Sequence, residues 1–280
     1  MRVLVTGGGG FVGSHLLESL PSSWSVWAPA SHSMDVRSSD ACARAFRHHN
    51  PELCIHLAAQ ASQRLAKSDP IQTDLINRDG CVNIAEAAGN SCRVVYLSSC
   101  HVYGPPQSLP VGEDHPLSPQ GVYAQSKLAG EDAFRKHVQG DWVIARAFNL
   151  LGPGQSTHFA VADWAAQALG GKKVIHTGDL TLKRDYLDVR DAVSGIAVLA
   201  EQAESRTHVN LCAAKARSLQ SLFKLAAPGC EAVTAPERLR PDDPREIRGC
   251  NQKALSLGWT PKVPIEETIA DLVVSLSVPS

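Results

Sequence analysis

The chain has 280 residues, 44% hydrophobic and 20% charged, with a net charge of −1, enough for one large domain or a domain and a half around a sizeable core. Near-neutral charge, with neither a basic stripe nor an acidic tail, excludes a nucleic-acid binder and a disordered chain. No apolar run approaches the roughly 18 residues of a membrane span, so a soluble protein is expected.

The chain opens on "RVLVTG" (2–7), a β-rich run closed by glycines. This reads directly as a strand, so no signal peptide is expected before the fold and the location is expected to be cytoplasmic. A helical spacing follows at 11–20 and stops at Pro21; 25–30 reads as a second strand and 39–49 as a helix with Asp40 near its start. A third strand is predicted at 53–59, a long helix at 69–90 ending in Gly89-Asn90, a fourth strand at 93–99, a helix at 122–138 and a fifth strand at 142–148. Strands apolar throughout and alternating with helices imply right-handed crossovers. The fold class is therefore α/β, a Rossmann-type doubly wound parallel sheet.

After residue 150 the texture changes. A Gly/Pro loop, "LGPGQSTHF", precedes the helical "AVADWAAQALGG"; "KVIHTG" and "RDYLDV" read as short strands. A strong helix at 190–203 and a strand at 208–213 look like sheet elements, and "SLQSLFKLAA" and "PIEETIADLVVSLS" as short helices around a Pro-rich loop near 235–244. The expected organisation is a dinucleotide domain at 1–150, with 186–213 completing its sheet, and an interleaved substrate lobe from 151–185 and 214–280. The eight cysteines (42, 54, 81, 92, 100, 212, 230, 250) form no C-x-x-C and sit at no zinc spacing with histidine. Reduced thiols and no metal site are expected.

"TGGGGFVGSHL" spaces Gly7, Gly10 and Gly13 as G-x-x-G-x-x-G between a strand and a helix. In that context Gly7 permits the turn, Gly10 admits a pyrophosphate, and Gly13 lets the helix approach the strand, with the N–H groups of Phe11 and Val12 at the helix start. The second strand runs into "WAPASHSMD", which has no carboxylate before Asp35. Without an acid to repel a 2′-phosphate, and with Ser31, His32, Ser33 and Arg37 nearby, NADP(H) is favoured over NAD(H). Asp35 and Val36 are expected at the adenine edge.

"YAQSK" places Tyr123 and Lys127 at i,i+4 on one helix face. A neighbouring ammonium is expected to lower the tyrosine's pKa and fit it for proton transfer. Y-x-x-x-K alone is a weak pattern; opening the helix after the fourth strand, behind a glycine turn, makes it stronger.

With "HLAAQAS", "SSCHVYG", "RDYLDVRD" and "NQKALSLGW" added, nearly the whole chain resembles the extended short-chain dehydrogenase/reductase family, in its nucleotide-sugar branch. The resemblance implies Leu57, Ala58 and Ala59 beside the dinucleotide, Tyr123 as acid/base, Lys127 as its electrostatic support and as a cofactor contact, and Ser99 on the reacting sugar oxygen. His101 stands where the branch's dehydratases carry a carboxylate, which argues against dehydration. It is left as a proton relay, an epimerising base, or a loop or sugar contact; Cys100 reads as an inert buried thiol.

The texture is closest to the GDP-4-keto-6-deoxymannose reductases. That likeness implies diphosphate contacts from Arg184 and Arg240, ribose contacts from Asp242, and Asn149 and His158 beside the sugar or phosphates. The expected activity is NADPH-dependent reduction of the C4 ketone of a nucleotide-linked 4-keto-6-deoxyhexose, GDP-linked, by a homodimer formed through the helices at 69–90 and 122–138. Alternatives are an epimerase that retains its NAD, a 3,5-epimerase/reductase using Cys100 or His101 with His158, and a non-catalytic dinucleotide sensor.

Overall fold

The computed structural model describes residues 1–240 and 243–277. Its first half runs β1 (Arg2–Thr6), α1 (Phe11–Ser19), β2 (Ser25–Trp27), α2 (Ser39–His49), β3 (Leu53–His56), α3 (Gln63–Ser68), α4 (Pro70–Asp74), α5 (Gly80–Ala88), β4 (Arg93–Ser99), α6 (Gly121–His137) and β5 (Trp142–Ala147). A π-helical turn at Leu75–Asp79 joins α4 to α5, and a 3-10 turn at Cys100–Tyr103 follows β4. The second half runs β6 (Asn149–Leu151), α7 (Ala160–Leu169), β7 (Val174–Thr177), β8 (Lys183–Asp188), α8 (Val189–Gln202), β9 (Thr207–Leu211), β10 (Ala216–Ser218), α9 (Leu219–Ala226), β11 (Glu231–Thr234), β12 (Glu246–Ile247), α10 (Gln252–Ser256) and α11 (Ile265–Ser277).

Six parallel strands form the central sheet in the order β2-β1-β3-β4-β5-β9. Strand side chains alternate between faces, and both faces are apolar here. Val3 and Val5 of β1, Leu53 and Ile55 of β3 and Val143 of β5 point to one core, shared with Leu16 of α1 and Val193, Ile196 and Leu199 of α8. Their neighbours Leu4, Cys54 and Ile144 point to the other core, with Phe46 of α2, Ile84 of α5 and Phe134 of α6. Each such side chain stabilises the fold by roughly 1.5–3 kcal/mol relative to exposure, which is why the strands read as unbroken apolar runs. The chain steps from β1 outward to β2 and then back across to β3. The order therefore reverses between β1 and β3, and the crevice at their carboxyl ends, beside Gly7 and Leu57, is where such sheets bind ligands.

The helix predicted over 69–90 is present as one helical run over 70–88, in which α4 passes through the π turn at Leu75–Asp79 directly into α5. Asp69 accepts the Gln72 N–H at 3.0 Å as the cap of α4, and Pro70 occupies its first turn, where a missing N–H costs nothing. A separate short helix, α3, lies upstream, capped by Ser62 through the Leu65 N–H at 3.4 Å. The sequence reading missed it, along with β6, β10 and β12, strands of two or three residues that are too short to show a period.

A second core lies beyond the sheet, where Leu151, Val161, Trp164, Ile175, Phe223 and Leu272 pack α7, α9 and α11 together. β8 is the centre of a small mixed sheet, paired with β6, β10 and β12. Asp188, at the end of β8, accepts the Arg190 N–H at 2.7 Å as the cap of α8 and the Thr268 hydroxyl of α11 at 2.7 Å. One buried carboxylate thus ties the helix that crosses back to the main sheet to the helix that covers the second core.

Candidate active site

At the crevice the backbone leaves room for no side chain. Gly7 has φ +74°, and a Cβ there would lie 2.7 Å from the Ala58 nitrogen, so a left-handed turn and a close approach to β3 both demand glycine. A Cβ on Gly13 would lie 2.2 Å from the Gly7 carbonyl oxygen, so α1 can seat against the turn only with glycine there. Gly10 caps α1 with no side-chain hydrogen bond, while Gly9 faces open space. The first N–H groups of α1 are left without a side-chain acceptor above a surface stripped of Cβ atoms. This observation fits the pyrophosphate of a dinucleotide.

A cleft of about 400 Å³ extends from this turn, lined by Gly7, Gly10, Phe11, Val12, Gly13, Leu57 and Ala59 on one side. Ser99, Cys100, His101, Tyr123, Lys127, Asn149, His158 and Arg240 line the rest. The fourth strand and α6 therefore bring their reactive side chains, Ser99, Tyr123 and Lys127, to the rim of the dinucleotide crevice.

Four site residues named from the sequence do not line the cleft. Asp35 is gripped by Arg37, whose Nη2 donates to Oδ2 at 2.6 Å and whose Nε lies 3.0 Å from both oxygens. That hydrogen bond, against the opposing effect of burial, holds the Asp35 carboxyl below its usual range. Val36 is buried with its side chain against Gly80. Ala58 presses its backbone on Gly7 from behind. Arg184 is buried, and its Nη1 donates to the carbonyls of Lys183 and Pro244, each at 2.8 Å, with Asp243 at 3.1 Å. Nη1 thereby ties the 243–247 segment to β8, while the buried Nη2 faces Asp243 as an ion pair, without a hydrogen bond among the described residues. Asp242 lies outside the described residues.

The 98–104 segment rests on a buried polar network. Glu131 of α6 accepts from Ser98 at 2.6 Å and from Arg146 of β5 at 3.0 and 2.7 Å on its two oxygens. Arg146 also donates to the Tyr103 hydroxyl at 3.1 Å, and Tyr103 donates to Asn210 of β9 at 2.7 Å. Burial pushes the Glu131 carboxyl up, but the bonds from Arg146 and Ser98 and the charge of Arg135 outweigh it and hold the group below its usual range. A charge pair satisfied this fully is held in place; it fixes the strand end that carries Ser99.

Burial pushes the Tyr123 phenol up to about 12, with the hydrogen bond from Ser99 pulling the other way. This corrects the sequence expectation of a lowered pKa. Lys127 donates through Nζ to the Leu97 carbonyl at 2.7 Å and stands 4.3 Å from the centre of the Tyr96 ring. Burial pushes the Lys127 ammonium itself down to about 8. Cys100 is driven up to about 12 by burial, reinforced by the charge of Asp185, and as a thiol it is unreactive. His101, edge-on to the Tyr123 ring at 5.9 Å, is pushed down to about 4 chiefly by burial, which Asp243 opposes and Arg184 and Arg240 reinforce.

The sequence reading did not single out Gln63, Arg64 or Tyr186, all of which line the cleft. Gln63 Nε2 lies 3.1 Å from His101 Nε2, Arg240 Nη1 donates to Gln63 Oε1 at 3.0 Å, and Arg64 Nη2 lies 3.0 Å from His158 Nδ1. The available signals were Ser62 as a helix cap and the period-two register that sets Tyr186 beside Arg184 on one strand.

A doubly wound parallel sheet, a glycine cradle at its switch point, and a serine, tyrosine and lysine at the same cleft define a dinucleotide-dependent enzyme of the Rossmann class. The model of the NAD dependent epimerase/dehydratase family matches residues 3–212. The chain belongs to that family, the extended short-chain dehydrogenases/reductases. It is 32% identical over 288 residues to GDP-6-deoxy-D-mannose reductase of Pseudomonas aeruginosa, covering 96% of this chain and 94% of that protein. It is 31% identical over 305 residues to UDP-glucose 4-epimerase of Mycolicibacterium smegmatis, covering 98% and 97%. The structure of RMD from Pseudomonas aeruginosa complexed with NADPH superposes with a TM-score of 0.89 at 30% identity, over 99% of this chain and 98% of that one. Among the described residues, no helix is long and apolar enough to cross a membrane.

Proposed function

We propose that the protein reduces the C4 ketone of a nucleotide-linked 4-keto-6-deoxyhexose, GDP-linked, with NADPH. The observation that carries this reading is a contrast within one cleft. Tyr123 is held as the neutral phenol beside Ser99, the form from which a proton is given to a carbonyl oxygen. The thiol of a Cys–His epimerising pair is held protonated by burial at Cys100, and in the ligand-free cleft His101 Nε2 and His158 Nδ1 each face a hydrogen-bond donor of α3. The first of the two relatives and the NADPH-bound neighbour support the same direction.

NADPH, when bound, supplies the hydride. The chain's residues do the rest. Ser99 accepts the His101 N–H at 3.3 Å, and its hydroxyl proton, turned from Tyr123 to the substrate, donates to the sugar carbonyl and polarises it. Tyr123 transfers its proton to the same oxygen as charge builds there. Lys127, one turn away on α6, is the cation available to balance the phenolate. On this reading residues 1–150 and 186–213 hold the dinucleotide, and 151–185 with 214–280 close over the sugar nucleotide. Arg240, exposed and lining the cleft, takes the diphosphate, Asn149 and His158 meet the sugar side, and α4, α5 and α6 pair two copies.

NADPH oxidation with GDP-, dTDP-, UDP- and CDP-linked 4-keto-6-deoxy sugars, with product analysis by NMR, tests this. Turnover is expected with the GDP sugar. A tightly held, stoichiometric NAD with UDP-glucose/UDP-galactose interconversion and no net NADPH consumption would instead establish the epimerase reading, which the Mycolicibacterium relative favours.

A further inference from the structure

We propose that Gln63 is a positioning residue that fixes which ring nitrogen of His101 carries the proton, and that it does so under the control of Arg240.

The argument is a count of donors. Arg240 Nη1 stands 3.0 Å from one end of the Gln63 amide. A guanidinium has donors and no acceptor, so the end facing it is the oxygen. The other end is therefore the NH2 group, and it stands 3.1 Å from His101 Nε2. Two donors cannot share that contact. His101 Nε2 is the acceptor, and the single proton of the neutral ring sits on Nδ1. Amide orientations and histidine tautomers are ordinarily left open by a structure; here one cation closes both. The ring's surroundings agree with a neutral form. Asp243, Arg184 and Arg240 are the charges acting on it, Tyr123 lies edge-on, and burial with the two arginines outweighs the carboxylate.

The consequence concerns substrate anchoring, and this step rests on Arg240 serving the diphosphate. Residues 63 and 240 come from distant parts of the chain, one in α3 and one beyond β11. Drawing Arg240 onto a diphosphate releases the Gln63 oxygen, and the amide is then free to turn. Its oxygen can accept from an Nε2–H, which moves the ring proton from Nδ1 to Nε2 by exchange with water, at no change in net charge. The Nδ1 lone pair becomes available only once the nucleotide end of the substrate is seated. His101 Nδ1 is thus an N–H donor in the free cleft and an acceptor in the filled one, with Nε2 taking the opposite role in each.

The test is 15N–1H long-range correlation on the full-length protein labelled at histidine, at pH 7, with His101 assigned by the signal lost in His101→Asn and independently in His101→Gln. The ligand-free wild type is expected to show Nδ1–H and a bare Nε2. Gln63→Glu, whose carboxylate accepts from both neighbours, is expected to move the proton to Nε2. Gln63→Leu and Arg240→Ala are expected to give a mixture. An Nε2–H or doubly protonated ring in the ligand-free wild type, or an unchanged signal in Arg240→Ala, overturns the proposal. GDP titrated with NADP+ present separates the two readings. If Arg240→Ala leaves GDP affinity unchanged, the diphosphate role of Arg240 falls while the tautomer lock stands. If that variant weakens GDP about tenfold or more, yet GDP does not shift the wild-type His101 signal, the coupling is overturned and the diphosphate role stands.

Discussion

The two walls of the cleft are built by different means. The β1–β3 wall is backbone: glycines at 7, 10 and 13, a bare helix terminus, and small apolar residues from the end of β3. The opposite wall is side chain: Gln63, Arg64, His158 and Arg240 bonded to one another across long stretches of sequence. A backbone wall suits what every dinucleotide shares, a pyrophosphate, and has no space for a Cβ at Gly7 or Gly13. A side-chain wall is rearrangeable and can be matched to one sugar nucleotide. Ser99 on β4 and Tyr123 and Lys127 on α6 stand between them, and on the proposed reading the two walls bring a hydride and a carbonyl to those groups.

The largest effect is expected at this junction. Tyr123→Phe keeps the ring, its packing and both walls but removes the transferable proton. The turnover number of ketone reduction should fall by about 10² to 10⁴-fold, with NADPH affinity in equilibrium titration unchanged. Turnover within a few-fold of wild type would mean that another group protonates the oxygen.

Lys127→Met separates stability from catalysis at the same place. In the folded protein burial brings the Lys127 ammonium down to about 8 from an ordinary value of 10.5. The unfolded chain therefore binds the proton more readily, and the folded state bears a cost on the order of 3 kcal/mol at neutral pH. That cost is full below pH 8 and fades as pH rises toward 10.5. Removing the charge should make the variant more stable than wild type near pH 7 by about 1–2 kcal/mol, after subtracting the unpaired Leu97 carbonyl. Wild type should then gain on the variant between about pH 8 and 10, as measured by urea unfolding, while the variant's reductase activity is lost. A stability difference that is flat across this pH range would show that burial does not strain the lysine.

Gly13→Ala tests the backbone wall. Its Cβ would meet the Gly7 carbonyl at 2.2 Å, and neither atom belongs to a flexible side chain, so α1 must shift away from the turn. A loss on the order of 1–3 kcal/mol is expected, together with weakened NADPH binding, read by thermal melting with and without the dinucleotide. A Gly13→Ala variant whose melting rises with NADPH as much as the wild type's would place the pyrophosphate elsewhere.

The difference between the walls also explains what could be read from sequence. The glycine turn, the Y-x-x-x-K pair and Ser99 are short-range patterns whose geometry follows from a strand, a turn and a helix. The sheet was legible for the same reason, each strand being an apolar run between helical periods. The side-chain wall depends on residues 177 positions apart, as in the Arg240–Gln63 bond, and no local period encodes such a meeting. Gln63 and Arg64 went unread because no element is predicted between the strand at 53–59 and the helix at 69–90, although Ser62 and Asp69 are both capping residues. Asp35 was placed correctly at the end of the second strand–turn unit, but nothing local says that Arg37 closes on it. Arg184 is the most instructive of these. A motif puts it beside Tyr186 on β8, yet which way its guanidinium turns is decided by the carbonyl of Pro244, 60 residues on.

The smallest expected effect distinguishes these two arginines. Arg240 is exposed in the cleft and donates to Gln63, so Arg240→Ala should leave melting within about 0.5 kcal/mol of wild type. It should raise KM for the sugar nucleotide about tenfold, with kcat little changed, the pattern of a contact made equally in ground and transition states. Arg184→Ala should do the reverse. It strips a buried donor from the Pro244 and Lys183 carbonyls and leaves Asp243 without its partner, so melting falls by an amount on the order of 1–3 kcal/mol and KM rises only as far as the 243–247 segment loosens. A KM effect larger for Arg184 than for Arg240, at unchanged stability, would mean that the buried guanidinium turns out to the substrate when the cleft fills, and that the side-chain wall is rearranged more deeply than its ligand-free geometry implies.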